Sequence, residues 1–129
     1  MGASLVYLKE PIKDKQIEKG SNDKLSYVMV GMQGWRINME DSHIANLEFD
    51  TGASIFGVFD GHGGVEVAQF CKRNLENELR QLESYKQKNW EQALKDSFLK
   101  MDEILESEPG KEALQSIARE FPKQKSALE

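Results

Sequence analysis

The stretch between Ser54 and Gly64 changes abruptly from an unbroken apolar run into a cluster of glycine and polar residues. Residues 55–59 show no polar alternation, so they predict a strand that is covered on both faces. The glycines that follow allow the backbone to turn tightly and to approach a ligand closely. An ionised carboxylate at the end of a buried strand loses hydration and needs a cation or several donors. Asp60 is therefore a candidate metal ligand, although Asp-Gly is also an ordinary turn sequence.

Two further strands are predicted before this one. Residues 25–30 are rich in β-branched and aromatic side chains and end at Gly31, and a second run extends from about residue 43 to residue 49. Short links join the strands, which favours antiparallel pairing. Residues 32–43 follow neither a two-residue nor a 3.6-residue period, so we expect them mainly in a loop.

Helices are predicted after Gly64. Apolar residues recur at intervals of three and four along residues 65–82, which indicates an amphipathic helix. Asn89 can cap a second helix that ends at Pro109-Gly110, and a shorter third helix should end at Pro122. The apolar stripe of the second helix is expected to lie in the core; its members are Trp90, Leu94, Phe98, Met101 and Leu105.

Composition limits the possible functions. A chain of 129 residues with a formal net charge of −5 has no concentrated basic face, which argues against nucleic-acid binding. Its longest apolar run has six residues even when glycine is counted, far short of a transmembrane segment, so we expect a cytoplasmic or nuclear protein. The lone Cys71 is expected to be a small core residue. Gly2 is the glycine that N-myristoylation needs, so peripheral membrane association is possible, although Val6 stands where the usual motif has Ser or Thr.

Four groups of polar residues flank the predicted strand ends: Arg36, Glu40-Asp41, Asp60-Gly61 and His62. Each is ordinary by itself, since adjacent acids and single cations usually lie on the surface. Considered together, their carboxylates would repel one another unless hard cations neutralised them, and oxygen ligands suit Mg²⁺ or Mn²⁺. Two such ions could activate a water for in-line displacement at phosphorus.

These residues resemble the metal-dependent serine/threonine protein phosphatases of type 2C. The resemblance rests on two long motifs, Met-Gln-Gly-Trp-Arg with Met-Glu-Asp-Ser-His at residues 32–43, and Phe-Asp-Gly-His-Gly-Gly at residues 59–64. It implies an α+β fold: the N-terminal portion of a four-layer α-β-β-α sandwich, with antiparallel strands followed by a helix pair. It also implies hydrolysis of phosphoserine and phosphothreonine in proteins, by a water activated at a centre of two Mg²⁺ or Mn²⁺ ions.

The resemblance also implies a role for each site residue. Asp60 looks like the carboxylate that bridges the two metal ions, and Gly61 like a ligand through its carbonyl oxygen. The pair Glu40 and Asp41 resembles the acids that coordinate metal or order its waters. Arg36 resembles the cation that binds phosphate. His62 resembles the general acid that protonates the leaving serine or threonine oxygen.

The chain lacks the later Asp-Gly and Asp-Asn motifs of that family, and the aspartates that follow His62, Asp96 and Asp102, fall on a helical pattern instead. We therefore expect an incomplete metal site and a truncated catalytic domain at residues 25–121, between an N-terminal arm at 1–24 and a polar tail at 122–129. One face of the strand at residues 55–59 would then lack its partner sheet. A catalytically inactive fragment that acts as an interaction module is the alternative. A nucleotide site at the glycine turn is disfavoured because the P-loop lysine is missing.

Overall fold

The computed structural model describes residues 7–122, in which antiparallel strand pairs precede helices. The strands are β1 (Tyr7–Ser21), β2 (Ser26–Arg36), β3 (Ser42–Asp50) and β4 (Ala53–Phe59). The helices are α1 (Glu66–Gln81), α2 (Glu83–Lys86), α3 (Trp90–Glu106) and α4 (Glu108–Glu120). This arrangement confirms the predicted α+β class. Gly2 and most of the predicted polar tail lie outside the described residues, and the predicted domain boundaries stay predictions.

Strands β1 and β2 form a two-stranded antiparallel ribbon. The pairing begins at Ser21 opposite Ser26, next to a turn in which the Asn22 carboxamide accepts hydrogen bonds from the backbone N–H groups of Lys24 and Leu25. Side chains of β1 are mostly exposed. The predicted N-terminal arm is thus largely a strand, which its alternating lysines and acids did not indicate.

The prediction of a loop at residues 32–43 is wrong for the first five of these residues. They continue β2 as far as Arg36. Pairing with β1 extends that far, with Met32 opposite Lys15 and Gly34 opposite Ile12. The register shifts on either side of Ile12. The extra residues lie in β1, which advances by five residues and then by three where β2 advances by two each time. In β2 the alternation of exposed and half-buried residues breaks at Gly34, which has φ of 68°, so a two-residue pattern does not predict a strand as far as Arg36.

One face of the ribbon is apolar and exposed. The side chains of Val28, Val30 and Met32 alternate along β2 and are each about half exposed or more. On the opposite face the Tyr27 ring covers Gly20, and its hydroxyl donates a 2.7 Å hydrogen bond to the Glu18 carboxylate. That hydrogen bond raises the pKa of Tyr27.

Strands β3 and β4 form a second two-stranded sheet, joined by a tight turn at Thr51-Gly52. Gly52 has φ of 71°, a conformation that glycine adopts without strain. The Ser54 hydroxyl fixes the hairpin by donating a 2.7 Å hydrogen bond to the Leu47 carbonyl. The expectation that β4 is covered on both faces is wrong in the described chain, because Phe56 is 48% and Val58 is 75% exposed.

The described residues divide into two compact units. The first contains residues 7–39 and 45–56, and the second contains residues 40–44 and 57–122. In the first unit the two sheets meet where the Tyr27 and Phe56 rings pack edge to face, with centroids 5.4 Å apart. The second unit holds the four helices together with the ends of β3 and β4.

Local sequence determines where the helices begin. The predicted Asn89 cap is confirmed, since its side chain accepts a hydrogen bond from the Gln92 N–H. Pro109-Gly110 follows the end of α3, as predicted, but also lies in the first turn of α4, where Ser107 is the N-cap. Proline suits a first turn because its missing N–H would have no partner there. A side chain at position 110 would overlap the Ile104 carbonyl, so only glycine fits.

The core of the second unit lies between α1, α3 and α4, where Phe70, Met101 and Ile117 are buried. Arg73 on α1 also makes a two-pronged ion pair with Glu120 on α4, with N–O distances of 3.1 and 2.6 Å. This pair raises the pKa of Arg73 and lowers the pKa of Glu120. Both side chains are over a third exposed, so packing contributes more to the helix cluster than this ion pair.

The apolar stripe of α3 is only partly in the core. Met101 is buried, but Trp90, Leu94 and Phe98 are 52%, 50% and 69% exposed. The expectation that the whole stripe is core is therefore wrong for its N-terminal half.

Among residues 7–122, no helix is long and apolar enough to cross a membrane.

Candidate functional site

The loop between β4 and α1 carries Asp60, Gly61 and His62. Strand β4 ends at Phe59, and α1 begins at Glu66 after two glycines with positive φ, Gly63 at 73° and Gly64 at 129°. The side chains of Asp60 and His62 are both exposed. A carboxylate and an imidazole are thus presented to solvent at the end of a strand, where a ligand could reach both.

Glu40 lies directly against this loop, although twenty residues separate it from Asp60. A side chain at position 61 would overlap the Glu40 backbone oxygen, so the Gly61 backbone packs against that of Glu40. Asp41 follows with an exposed side chain, and Ser42 begins β3. The fold therefore brings the loop that carries Asp60 next to the acidic pair, and the absence of a side chain at Gly61 permits the close approach.

We expect Gly61→Ala to destabilise the 129-residue chain by about 1–3 kcal/mol, because the added methyl group must displace backbone atoms at Glu40. Gly57→Ala is the matched control: its methyl group would make only ordinary contacts, with the Phe59 ring 3.7 Å away. Urea denaturation followed by circular dichroism measures both. Equal stabilities for the two variants would contradict the close approach of Gly61 to Glu40.

An open groove of about 360 Å³ lies beside the loop in the second unit. Asp60 and His62 line one part of it, and the exposed apolar side chains of Val67 and Phe98 line another. Cys71 also lines the groove, and burial together with the Asp102 carboxylate raises the pKa of its thiol. Neither Val67 nor Phe98 was predicted at the site, because the sequence does not show that the start of α1 and the middle of α3 line one groove.

The donors near this loop are of the kind that Mg²⁺ and Mn²⁺ prefer. They are the carboxylates of Glu40, Asp41 and Asp60 and the carbonyl of Gly61, and all of them are oxygen ligands. Within residues 7–122, however, no three His, Cys, Asp or Glu side chains are grouped closely enough to hold a metal ion. The donor type fits a divalent cation, whereas the number of donors gathered falls short of a full coordination shell.

Asp96 lies away from this loop. It accepts hydrogen bonds from Gln92 at 2.8 Å and from Ser84 at 2.7 Å, and these bonds lower its pKa. It thereby ties the short helix α2 to α3. Asp102 is exposed on α3 and acts on the groove only through the charge that raises the pKa of the Cys71 thiol.

Arg36 is the last residue of β2 and belongs to the first unit. The Gln33 carboxamide donates hydrogen bonds to the carbonyls of Arg36 and Ile37, at 2.8 and 2.9 Å, so the backbone is held where the strand ends. The Arg36 side chain is exposed. The structure therefore brings Glu40, Asp60, Gly61 and His62 together in one unit, and places Arg36 at a strand end in the other.

Ser42 was not singled out from the sequence. Only 4% of it is exposed, and its hydroxyl makes no hydrogen bond within the described part of the chain. A buried hydroxyl without a partner costs about 1–3 kcal/mol. The signal available in the sequence was the strand alternation, which places Ser42 and Ile44 on the same, buried side of β3.

Comparison with known proteins gives consistent matches. A family model described as "Protein phosphatase 2C" matches residues 25–118. "Probable protein phosphatase 2C 6" of Paramecium tetraurelia is 43% identical over 111 residues, which cover 86% of this chain and 38% of that protein. "Probable protein phosphatase 2C 58" of Oryza sativa subsp. japonica is 44% identical, over 87% of this chain and 30% of the relative. The chain spans about a third of the length of the curated relatives that it matches.

Proposed function

This chain belongs to the protein phosphatase 2C family, and from that premise we propose that it serves the hydrolysis of phosphoserine and phosphothreonine in proteins. One observation within the chain carries the proposal. The Gly61 backbone packs against Glu40, so two motifs far apart in sequence meet at one loop. A purely structural Asp-Gly turn would not require an acidic pair beside it.

Four residues would hold the metal ions. The family generally uses Mg²⁺ or Mn²⁺, and Asp60, Gly61, Glu40 and Asp41 offer suitable oxygen donors. When bound, such ions supply charge neutralisation at the phosphoryl group and lower the pKa of a coordinated water. The exposure of Asp60 supports this role, because an exposed carboxylate can take up a cation without displacing buried structure.

Arg36 and His62 would act on the substrate. The planar guanidinium of Arg36 suits two phosphoryl oxygens at once. A water oxygen bonds to phosphorus as the phosphorus–oxygen bond to the substrate serine breaks, and His62 donates a proton to the leaving oxygen. The proton that the water loses passes to solvent and restores the proton on His62, so that the products are inorganic phosphate and a serine hydroxyl. Phosphoserine and phosphothreonine proteins are the substrates that we propose.

The alternative is a catalytically inactive chain that acts as an interaction module. Two observations favour it: no three potential ligand side chains are grouped within residues 7–122, and the N-terminal half of the α3 stripe is exposed. Measurement of metal-dependent phosphopeptide turnover separates the two functions, because an interaction module needs no metal and hydrolyses no phosphopeptide.

The test uses a completed domain, defined as the Paramecium relative in which residues 25–118 of this chain replace the matching segment. We expect this completed domain to hydrolyse a phosphoserine peptide in the presence of Mn²⁺. The 129-residue chain by itself should release phosphate no faster than Mn²⁺ alone, because residues 7–122 do not group three potential ligand side chains. Phosphate release at matched protein concentrations measures both.

The two results test different points: the first tests the proposed phosphatase function, and the second tests the expectation that the isolated chain is inactive. An inactive but folded completed domain would overturn the phosphatase function and favour the interaction module. Mn²⁺-dependent turnover by the isolated chain would show that the donors near Asp60 suffice by themselves. The unmodified Paramecium relative serves as the positive control.

A further inference from the structure

The first turn of α1 meets the contact between Gly61 and Glu40. A methyl group added to Gly61 would overlap the Glu40 carbonyl oxygen and would lie 3.2 Å from the methyl carbon of Ala68. The Glu40 oxygen and the Ala68 methyl group therefore lie on the same side of Gly61, close to one point. Three segments of the second unit meet there: the residues just before β3, the loop between β4 and α1, and α1 itself.

Ala68 is buried on a side of α1 that does not face the helix core. It is 4% exposed, yet it does not belong to the cluster of Phe70, Met101 and Ile117. Phe70 follows two residues later, about 200° around the helix, so the two side chains point to nearly opposite sides. Ala68 is also the only alanine of α1, which contains no glycine. The smallest side chain of the helix thus occupies the position that meets the Gly61 loop.

We infer that Ala68 is a positioning residue of the metal site, because its small side chain permits the Gly61 backbone to approach Glu40. This role rests on the proposed function, in which Asp60, the Gly61 carbonyl and Glu40 hold metal ions. A methyl group cannot bind a cation, so Ala68 acts only through the residues that it contacts. Its contribution is to let oxygen donors from two distant motifs lie side by side.

The distances indicate how much a larger side chain at position 68 would change. One further carbon–carbon bond adds about 1.5 Å, whereas metal–ligand distances in a well-formed site vary by only about 0.2 Å. Because Ala68 is buried and its methyl group already lies close to Gly61 and Glu40, valine at this position must push against one of these two segments. Either displacement separates the oxygen donors by more than a metal ion tolerates.

A purely structural role for Ala68 predicts a different result, and Ala93 provides the comparison. Ala93 lies in the first turn of α3, as Ala68 lies in the first turn of α1, and it is 1% exposed. Valine at either position overpacks a buried site and should lower Tm. Only a positioning residue should also change the affinity for metal.

The first test measures Mn²⁺ affinity in the completed domain by isothermal titration. We expect Ala68→Val to bind Mn²⁺ at least tenfold more weakly than the unsubstituted domain, a loss typical of residues that orient metal ligands. Ala93→Val should bind Mn²⁺ within about twofold of the unsubstituted domain, although it also lowers Tm. Ala68→Gly should keep the affinity within about threefold, because glycine leaves the contact unobstructed. Equal Mn²⁺ affinities for Ala68→Val and Ala93→Val would overturn the role of Ala68.

The role of Ala68 and the proposed reaction can fail separately. A completed domain that binds Mn²⁺ but hydrolyses no phosphopeptide would overturn the proposed reaction, and the Mn²⁺ affinities of the variants would still test Ala68. A completed domain that binds no Mn²⁺ would overturn both.

The second test needs neither metal nor turnover, and it decides the question should Ala68→Val fail to fold. It combines Gly61→Ala with Ala68→Gly in the 129-residue chain. The methyl group added at position 61 lies against that of Ala68, so removal of the latter gives the loop room to move away from Glu40. We expect Gly61→Ala to shift the urea midpoint at most half as far in the Ala68→Gly background as in the unsubstituted chain. Equal shifts in the two backgrounds would show that Ala68 takes no part in the contact and would overturn its role.

Discussion

Replacing Asp60 by asparagine in the completed domain is expected to lower kcat for a phosphoserine peptide by about a hundredfold or more. Loss of a residue that only orients a metal ligand commonly lowers metal affinity or activity 10–100-fold, and Asp60 is proposed as a ligand itself. Asparagine keeps the size of the side chain but removes the negative charge and one oxygen that can bind a cation. The fold should be preserved, because Asp60 is exposed and ends a strand whose packing does not depend on it.

Isothermal titration with Mn²⁺ gives a readout that does not depend on turnover. We expect the Mn²⁺ affinity of Asp60→Asn to fall at least tenfold, with an unchanged circular dichroism spectrum. Asp102→Asn is the matched control, since Asp102 is also an exposed aspartate of the second unit but lies on α3. Unchanged Mn²⁺ affinity in Asp60→Asn would remove this residue from the metal site whatever happened to kcat.

Replacing His62 by glutamine is expected to separate two kinds of substrate. If His62 protonates the leaving oxygen, kcat for a phosphoserine peptide should fall by about a hundredfold or more, because an alkoxide is a poor leaving group. An activated aryl phosphate should lose much less, since its leaving group is already stable as an anion. The completed domain is used with saturating Mn²⁺, and kcat is measured for both substrates across pH.

The ratio of the two losses is the informative quantity. A structural defect in the loop at residues 60–64 would lower the rates for both substrates together, whereas loss of a proton donor would slow mainly the peptide substrate. Equal losses would therefore exclude His62 from the catalytic groups. A loss confined to the peptide substrate would support the role in protonation.

Local signals in the sequence were sufficient for α1, α3 and α4, but not for the four-residue helix α2. The periodicity of residues 65–82 predicted α1, and the Asn89 cap with its partner Gln92 predicted where α3 begins. What periodicity cannot provide is the identity of the neighbour on an apolar face. The α3 stripe was therefore expected to be buried throughout, whereas the described helices cover only the part that contains Met101.

The strands show a different limit. β1 alternates lysines and acids and contains Pro11, so its own residues do not favour a strand. It forms because β2 pairs with it, and the extra residues near Ile12 belong to β1. In β2 the alternation breaks at Gly34, which has a positive φ. At the candidate site, motif positions identified Asp60 and Glu40, but the backbone contact at Gly61 that joins them became visible only in three dimensions.

The β1–β2 ribbon also has a consequence during synthesis. Its two strands are complete once Arg36 has been made, and hairpins form within about 1–10 μs. At about 5–20 residues per second, the ribosome needs several seconds to add the residues from Ile37 to Glu120, where α4 ends. The side chains of Val28, Val30 and Met32, which are exposed in the ribbon, are therefore made several seconds before the helices are complete. Apolar surface that is exposed during synthesis makes a folding chain prone to association until its neighbours have formed.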